Sequence, residues 1–168
     1  AGVPPGVLNL VNGRGAVTGA ALVSHPGVDL VSFTGGTETG REIMAAAGRR
    51  LVPTTMELGG KSANVVFASA DRERALDAAL ASIYSNNGQQ CPAGSRILVE
   101  RSIADGFIAD FVGRARRIRV GDPRDEATEM GPLASATHRA RVLSYAERAR
   151  APGLEILAGG GVPTGLPQ

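Results

Sequence analysis

Short apolar runs of strand length alternate along this chain with longer segments whose apolar residues recur at helical spacing. Such alternation is the mark of strands joined through helical crossovers, and it restricts the chain to an α/β fold. The strand candidates are Val7 to Val11, Leu30 to Phe33, Thr54 to Leu58, Asn64 to Phe67, Arg96 to Glu100 and Glu155 to Ala158. Helices are expected over Ala16 to Ser24, Glu38 to Arg50 and Asp71 to Ser85. Two more should run from Ser102 through Phe107, Phe111 and Ala115 toward Ile118, and from Ser135 to Arg150. Thr37 is a suitable N-cap for the second helix, Ser102 to Asp105 has the outline of a capping box, and Ser135 can cap the last helix.

Composition enters mainly through what it excludes. No window holds 18 consecutive apolar residues, so no membrane-spanning helix is expected. Ala1 to Leu10 lack the basic and apolar regions of a signal peptide. A single cysteine, Cys91, cannot form an internal disulfide framework. These features predict a soluble, cytoplasmic protein. Lys and Arg number 18 against 16 acidic residues, a net charge of +2 that implies no one-signed field for nucleic acid or a membrane. Gly and Pro make up about a fifth of the chain without a repeat, which indicates many turns. The start without Met and the stop at Pro167-Gln168 predict that the sequence is part of something longer.

Several chemical motifs fail. Gly35 and Gly40 have the P-loop separation but are followed by Arg41-Glu42, and Gly60-Lys61-Ser62 lacks the first glycine, since Thr55 stands there. One Cys with the distant His25 and His138 makes no zinc site, and Asp122, Asp125, Glu126 and Glu129 lack calcium-loop spacing, so no metal is expected.

Three features remain. Gly35 to Gly40 follow a strand and open a helix, where free N–H groups favour phosphate, although a tight turn needs the same residues. Cys91 lies in a polar turn, Asn86-Asn87-Gly88-Gln89-Gln90-Cys91-Pro92, between a helix and a strand. It is either an accessible nucleophile or a small buried apolar residue. Glu57 sits in the strand candidate Thr54 to Leu58. It suits a general base whose pKa burial would raise, or an ion pair with Lys61 or an arginine.

The segments Phe33-Thr34-Gly35-Gly36-Thr37-Glu38-Thr39-Gly40, Glu57-Leu58-Gly59-Gly60-Lys61-Ser62 and Gly88-Gln89-Gln90-Cys91-Pro92-Ala93-Gly94-Ser95-Arg96 occur in that order. Together they resemble the NAD(P)-dependent aldehyde dehydrogenase superfamily, and Gly2 to Val11 and Gly121 to Leu133 are similar to it as well. The resemblance implies an α/β, aldehyde dehydrogenase-like fold. Residues 1–60 would be the C-terminal part of a Rossmann-type cofactor domain and 61–168 the N-terminal part of an α/β catalytic domain.

It also implies site residues. Cys91 would attack the aldehyde, passing through a thiohemiacetal and a thioester, and Glu57 would activate the hydrolytic water. Gly15 would lie near the adenosine. Gly35, Gly36, Thr37 and Gly40 would face the pyrophosphate, and Leu58 the nicotinamide. The cofactor expected is NAD, with NADP as the alternative, and the partner a small-molecule aldehyde. The full-length protein is expected to be a homo-oligomer, dimer or tetramer. Two residues depart from the family pattern: Gly36 stands where Ser is usual, and Pro92 follows the nucleophile. The family's side-chain oxyanion donor and its ribose-holding groups would lie outside the 168 residues, so the chain alone is expected to be inactive. A CoA-acylating relative and a non-catalytic remnant of the fold are the competing readings. For substrate, both the muconic semialdehyde and betaine aldehyde branches are similar.

Overall fold

The computed structural model describes residues 2–165. The chain divides into two compact units, Ala1–Gly59 and Gly60–Gln168, each an α/β arrangement.

In the first unit a π-helical turn, Gly15–Gly19, continues into the short helix α1, Ala20–Ser24. Strands β1, Val31–Gly35, and β2, Thr54–Leu58, lie parallel, paired from Val31↔Thr54 to Gly35↔Leu58. They are joined by α2, Thr37–Gly48. Side chains alternate across a strand. Val31, Phe33, Met56 and Leu58 therefore share the more buried face, and Ser32, Thr34, Thr55 and Glu57 the exposed one. Ala47 of α2 is fully buried. Past the helix end, Arg50 donates to the carbonyls of Val23 and Val28 at 2.9 and 3.0 Å, anchoring the end of α1 and the segment after it.

The helix begins at its expected cap, one residue earlier than its expected start. Gly36 takes the N-cap position, in extended conformation, and its carbonyl accepts the Gly40 N–H at 3.0 Å. Thr37 is thus the first helical residue, and no side chain caps this end. Val7 to Val11, expected as a strand, is irregular, with Val7, Leu8, Leu10 and Val11 all exposed. A strand exists through ladder bonds to a neighbour, and among the described residues this run has none.

In the second unit β3, Ala63–Val66, and β4, Arg96–Val99, are parallel, paired from Ala63↔Arg96 to Val66↔Val99. Helix α3, Arg72–Tyr84, connects them. Helices α4, Ala104–Ala115, and α5, Ala136–Arg150, follow. The core is Val66, Leu76, Ala79 and Phe107, with Ile97, Val99, Ile103 and Phe111 packed around it. Phe107 is 1% exposed. Asp71 caps α3 by accepting the Arg74 N–H at 3.1 Å. The Tyr84 and Phe111 rings stack with centroids 6.2 Å apart. Arg114 of α4 pairs with Glu73 and Asp77 of α3, and Arg72 pairs with Asp110 at 2.6 Å. Such surface pairs contribute about 0.2–1 kcal/mol each, so the apolar core carries most of the packing energy.

The capping box expected at Ser102 does not form. The Ser102 hydroxyl donates instead to Glu100 Oε1 at 2.7 Å, and a 3-10 turn, Arg101–Ile103, leads into α4 without a side-chain cap. Glu100 also accepts the Ala68 N–H at 2.8 Å, and these bonds hold its carboxyl below the ordinary value. Ser135 does cap α5, accepting the His138 N–H at 3.1 Å, yet no residue of α5 is buried. Glu155 to Ala158 is irregular rather than a strand, for the same lack of a ladder partner. Its Leu157 carbonyl accepts from Arg116 at 2.7 Å. No helix among the described residues is long and apolar enough to cross a membrane.

Candidate active site

In the first unit the expected cofactor residues gather at the carboxyl ends of two parallel strands. Gly35 ends β1 and is paired with Leu58, which ends β2. Gly36 and Thr37 open α2 directly beyond. The first N–H groups of a helix have no partner within it, and the helix dipole favours an anion there. At Gly36 a Cβ would meet nothing within 4 Å, so the space beside this backbone is open. Gly40 differs from its neighbours. It is buried, and a Cβ there would stand 2.7 Å from Leu58 Cδ2, so Gly40 lets α2 close onto β2.

Gly15 lines a groove of about 750 Å³ among the π-helical turn, α1, β1 and α2. Its walls include Gly19, Val23, Val31, Thr39 and Ile43. Open backbone at a helix N-terminus beside an apolar groove suits an anionic group joined to a flat heterocycle. These residues therefore fit a dinucleotide.

Glu57 lies on the exposed face of β2, with Thr34 as its register partner on β1. Two expectations change here. The apolar burial anticipated for Glu57 is absent, because alternation sends Met56 and Leu58 inward and Glu57 outward. The alternative Lys61 pair does not form, since the Lys61 ammonium donates to the Gly60 carbonyl at 2.9 Å.

In the second unit the turn that follows α3 carries Cys91. Asn86, Asn87 and Gly88 are all left-handed, with φ of 50°, 57° and 71°. At Gly88 a Cβ would meet the Ile83 carbonyl at 2.9 Å, so glycine is required. The Ala93 N–H donates to Gln90 at 3.2 Å, closing a turn whose centre is Cys91 and Pro92. Ala93 and Gly94 are buried, and the Gly94 N–H donates to Ser82 Oγ at 2.9 Å. Cys91 itself is exposed and free, and its N–H has no partner among the described residues. The turn lies beside the entry to β3, with the Cys91 carbonyl 3.9 Å from the position a Gly60 Cβ would take. Just upstream, burial pushes the Tyr84 phenol above its ordinary value. No group of three His, Cys, Asp or Glu able to hold a metal occurs among the described residues.

The aldehyde dehydrogenase family model matches residues 1–167. The chain belongs to this family. A betaine aldehyde dehydrogenase of Brucella ovis is 50% identical over 163 residues, which are 97% of this chain and 33% of that protein. The structure of PnpE from Pseudomonas sp. WBC-3 superposes with a TM-score of 0.93 at 48% identity, covering 97% of this chain and 34% of that one. A Staphylococcus aureus betaine aldehyde dehydrogenase in complex with NAD+ gives 0.92 at 45% identity, covering 97% and 33%. This chain spans about a third of the length of these relatives. The α/β, aldehyde dehydrogenase-like fold expected from the motifs is therefore present, each unit holding a short parallel sheet.

One member of the site escaped the sequence. The Asn87 carboxamide donates to the carbonyls of Gly131 and Pro132, at 3.1 and 3.4 Å. The left-handed Asn-Gly pair signalled a turn, but nothing local signalled a bond across more than forty residues.

Proposed function

We propose that the chain carries the nucleophile, the general base and part of the cofactor site of an NAD-dependent dehydrogenase that oxidises an aldehyde to a carboxylic acid. The observation carrying this reading is Cys91. This single thiol of the chain stands exposed at the centre of a turn whose downstream residues, Ala93 and Gly94, are buried and hydrogen-bonded.

The Cys91 thiolate adds to the aldehyde carbon, forming a C–S bond and placing the negative charge on oxygen. The unpaired Cys91 N–H is available to that oxygen, and such donors are worth about 10²–10³ in rate. NAD, when bound, would supply the acceptor for the hydride that the aldehyde carbon gives up. A thioester on Cys91 remains. Glu57 takes a proton from water as the water attacks the thioester carbon. Collapse breaks the C–S bond, returns the thiolate and releases the acid. Gly36 and Thr37 at the start of α2 would receive the pyrophosphate, and the groove lined by Gly15 would receive the adenosine. Gly35 and Leu58 line the adjoining strand ends, while Gly40 serves by letting the helix approach. On this reading residues 1–60 belong to a cofactor domain and 61–168 to a catalytic one.

Betaine aldehyde is the first substrate to test, because relatives 50% identical to this chain carry that name. NAD is preferred over NADP because a relative was solved with NAD+. The 168 residues alone are inactive, since they span a third of the relatives' length. The complete assembly is a cytoplasmic homo-oligomer.

The test is NAD reduction by the gene product carrying this sequence, over a panel of aldehydes led by betaine aldehyde. Expected is turnover that Cys91→Ala lowers by at least about 10³. Full activity in Cys91→Ala overturns the reading.

A further inference from the structure

Two anchors fix the turn that carries Cys91. The downstream anchor is the Gly94 N–H, which donates to Ser82 Oγ at 2.9 Å and to the Ser82 carbonyl at 3.3 Å. The upstream anchor is a side chain, from Asn87 to the carbonyls of Gly131 and Pro132. Those carbonyls end a clasped loop. The Met130 carbonyl accepts the Gly121 N–H at 3.0 Å, and the Arg119 carbonyl accepts from Glu129 and Met130 at 2.8 and 3.1 Å. The Glu129 carboxylate in turn accepts from both the Arg119 N–H and its guanidinium, at 3.0 and 3.2 Å. Left-handed residues occur singly as a rule, and two asparagines and a glycine in succession need outside support. The Asn87 carboxamide supplies such support four residues before the thiol.

We propose that Asn87 is a positioning residue for Cys91: its carboxamide ties the left-handed turn to the 119–132 loop and so sets where the thiol stands. The proposal rests on the reading of Cys91 as the nucleophile. Asn87 need not touch substrate. It acts through the turn, so its loss should slow the chemical step more than it weakens binding.

The test compares Asn87→Asp and Asn87→Gly with the parent in the gene product carrying this sequence. Asp keeps the size but sets a carboxylate against two carbonyls, whereas Gly keeps the left-handed backbone and removes the donor. Two readouts are taken: kcat and KM with betaine aldehyde and NAD, and the rate of alkylation of Cys91 by iodoacetamide, read on its peptide by mass spectrometry. Expected in both variants is a kcat at least tenfold lower, a KM for NAD within twofold of the parent, and an alkylation rate changed at least threefold. If Asn87→Asp does not fold, Asn87→Gly decides alone. Parental kcat and alkylation rate in Asn87→Gly overturn the proposal. Turnover that survives Cys91→Ala defeats the nucleophile reading instead, and the alkylation rates still report whether Asn87 sets the thiol.

Discussion

The two sheets of this chain present opposite chemistry on their outer faces. Beside β1 and β2 that face is polar: Ser32 is paired with Thr55 and Thr34 with Glu57, all exposed. On β3 and β4 the exposed pairs are Ala63 with Arg96 at one end and then Val65 with Leu98, the last two 56% and 49% exposed. Parallel strands ordinarily have both faces covered. A face of hydroxyls and a carboxylate can meet water or a ligand, whereas a face of Val and Leu is stable only under another layer of protein. The first face can thus stay open to solvent or a ligand, whereas the Val65 and Leu98 patch calls for cover.

The most severe challenge to this division is Glu57→Gln. On the polar face it should lower turnover of the gene product by about 10²–10⁴, the range of a general base, while the melting temperature stays within about 2 °C. A large fall in melting temperature with turnover intact would make Glu57 a structural residue and erase the contrast. Leu98→Asp is the converse substitution. In the gene product it should lower stability by about 2–3 kcal/mol, because a covered face must then hold an unpaired charge. In the 168-residue chain, where Leu98 is half exposed, the same change should stay within about 0.5 kcal/mol. Denaturant unfolding of both proteins checks the pair, and equal losses would show that nothing covers the face.

Smaller effects sharpen the comparison from the inner side. Gly40→Val should cost about 1–3 kcal/mol, since its side chain must displace Leu58 and push α2 off β2. Gly36→Ser, with open space beside it, should leave the melting temperature unchanged and tighten NAD binding, read by titration. The smallest effect concerns acid. The Glu100 pKa is depressed from 4.5 in the folded chain, so the carboxylate favours the fold above its ordinary range. That contribution fades as the pH falls through the lowered value. Glu100→Gln should therefore lower stability slightly at neutrality, where the carboxylate contributes fully, and flatten the further loss below about pH 4.5, where the two proteins converge.

Much of the fold was legible because its signals are local. Alternation in Thr54 to Leu58 marks β2, and Asp71 and Ser135 mark the starts of α3 and α5. The failures share a physical cause, which is that a partner distant in sequence decides the outcome. Val7 to Val11 and Glu155 to Ala158 have strand composition but no strand beside them. Ser102 could serve a helix or a neighbouring carboxylate, and Glu100, fixed by Ala68, took it. The order of glycines, Glu57 and Cys91 was readable as a family pattern. The exposure of Glu57 could also have been read, because Met56 and Leu58 on either side claim the inner face. Asn87 could not, since its partners lie 44 and 45 positions away.

Helix α5 is regular and capped, yet none of its residues is buried. It therefore opens without disturbing Phe107 or Leu76, and its free energy of opening is set by fraying rather than by the core. Hydrogen exchange along the second unit should be graded accordingly, with the amides of α5 exchanging first and those of α3 and β3 persisting until the whole unit unfolds.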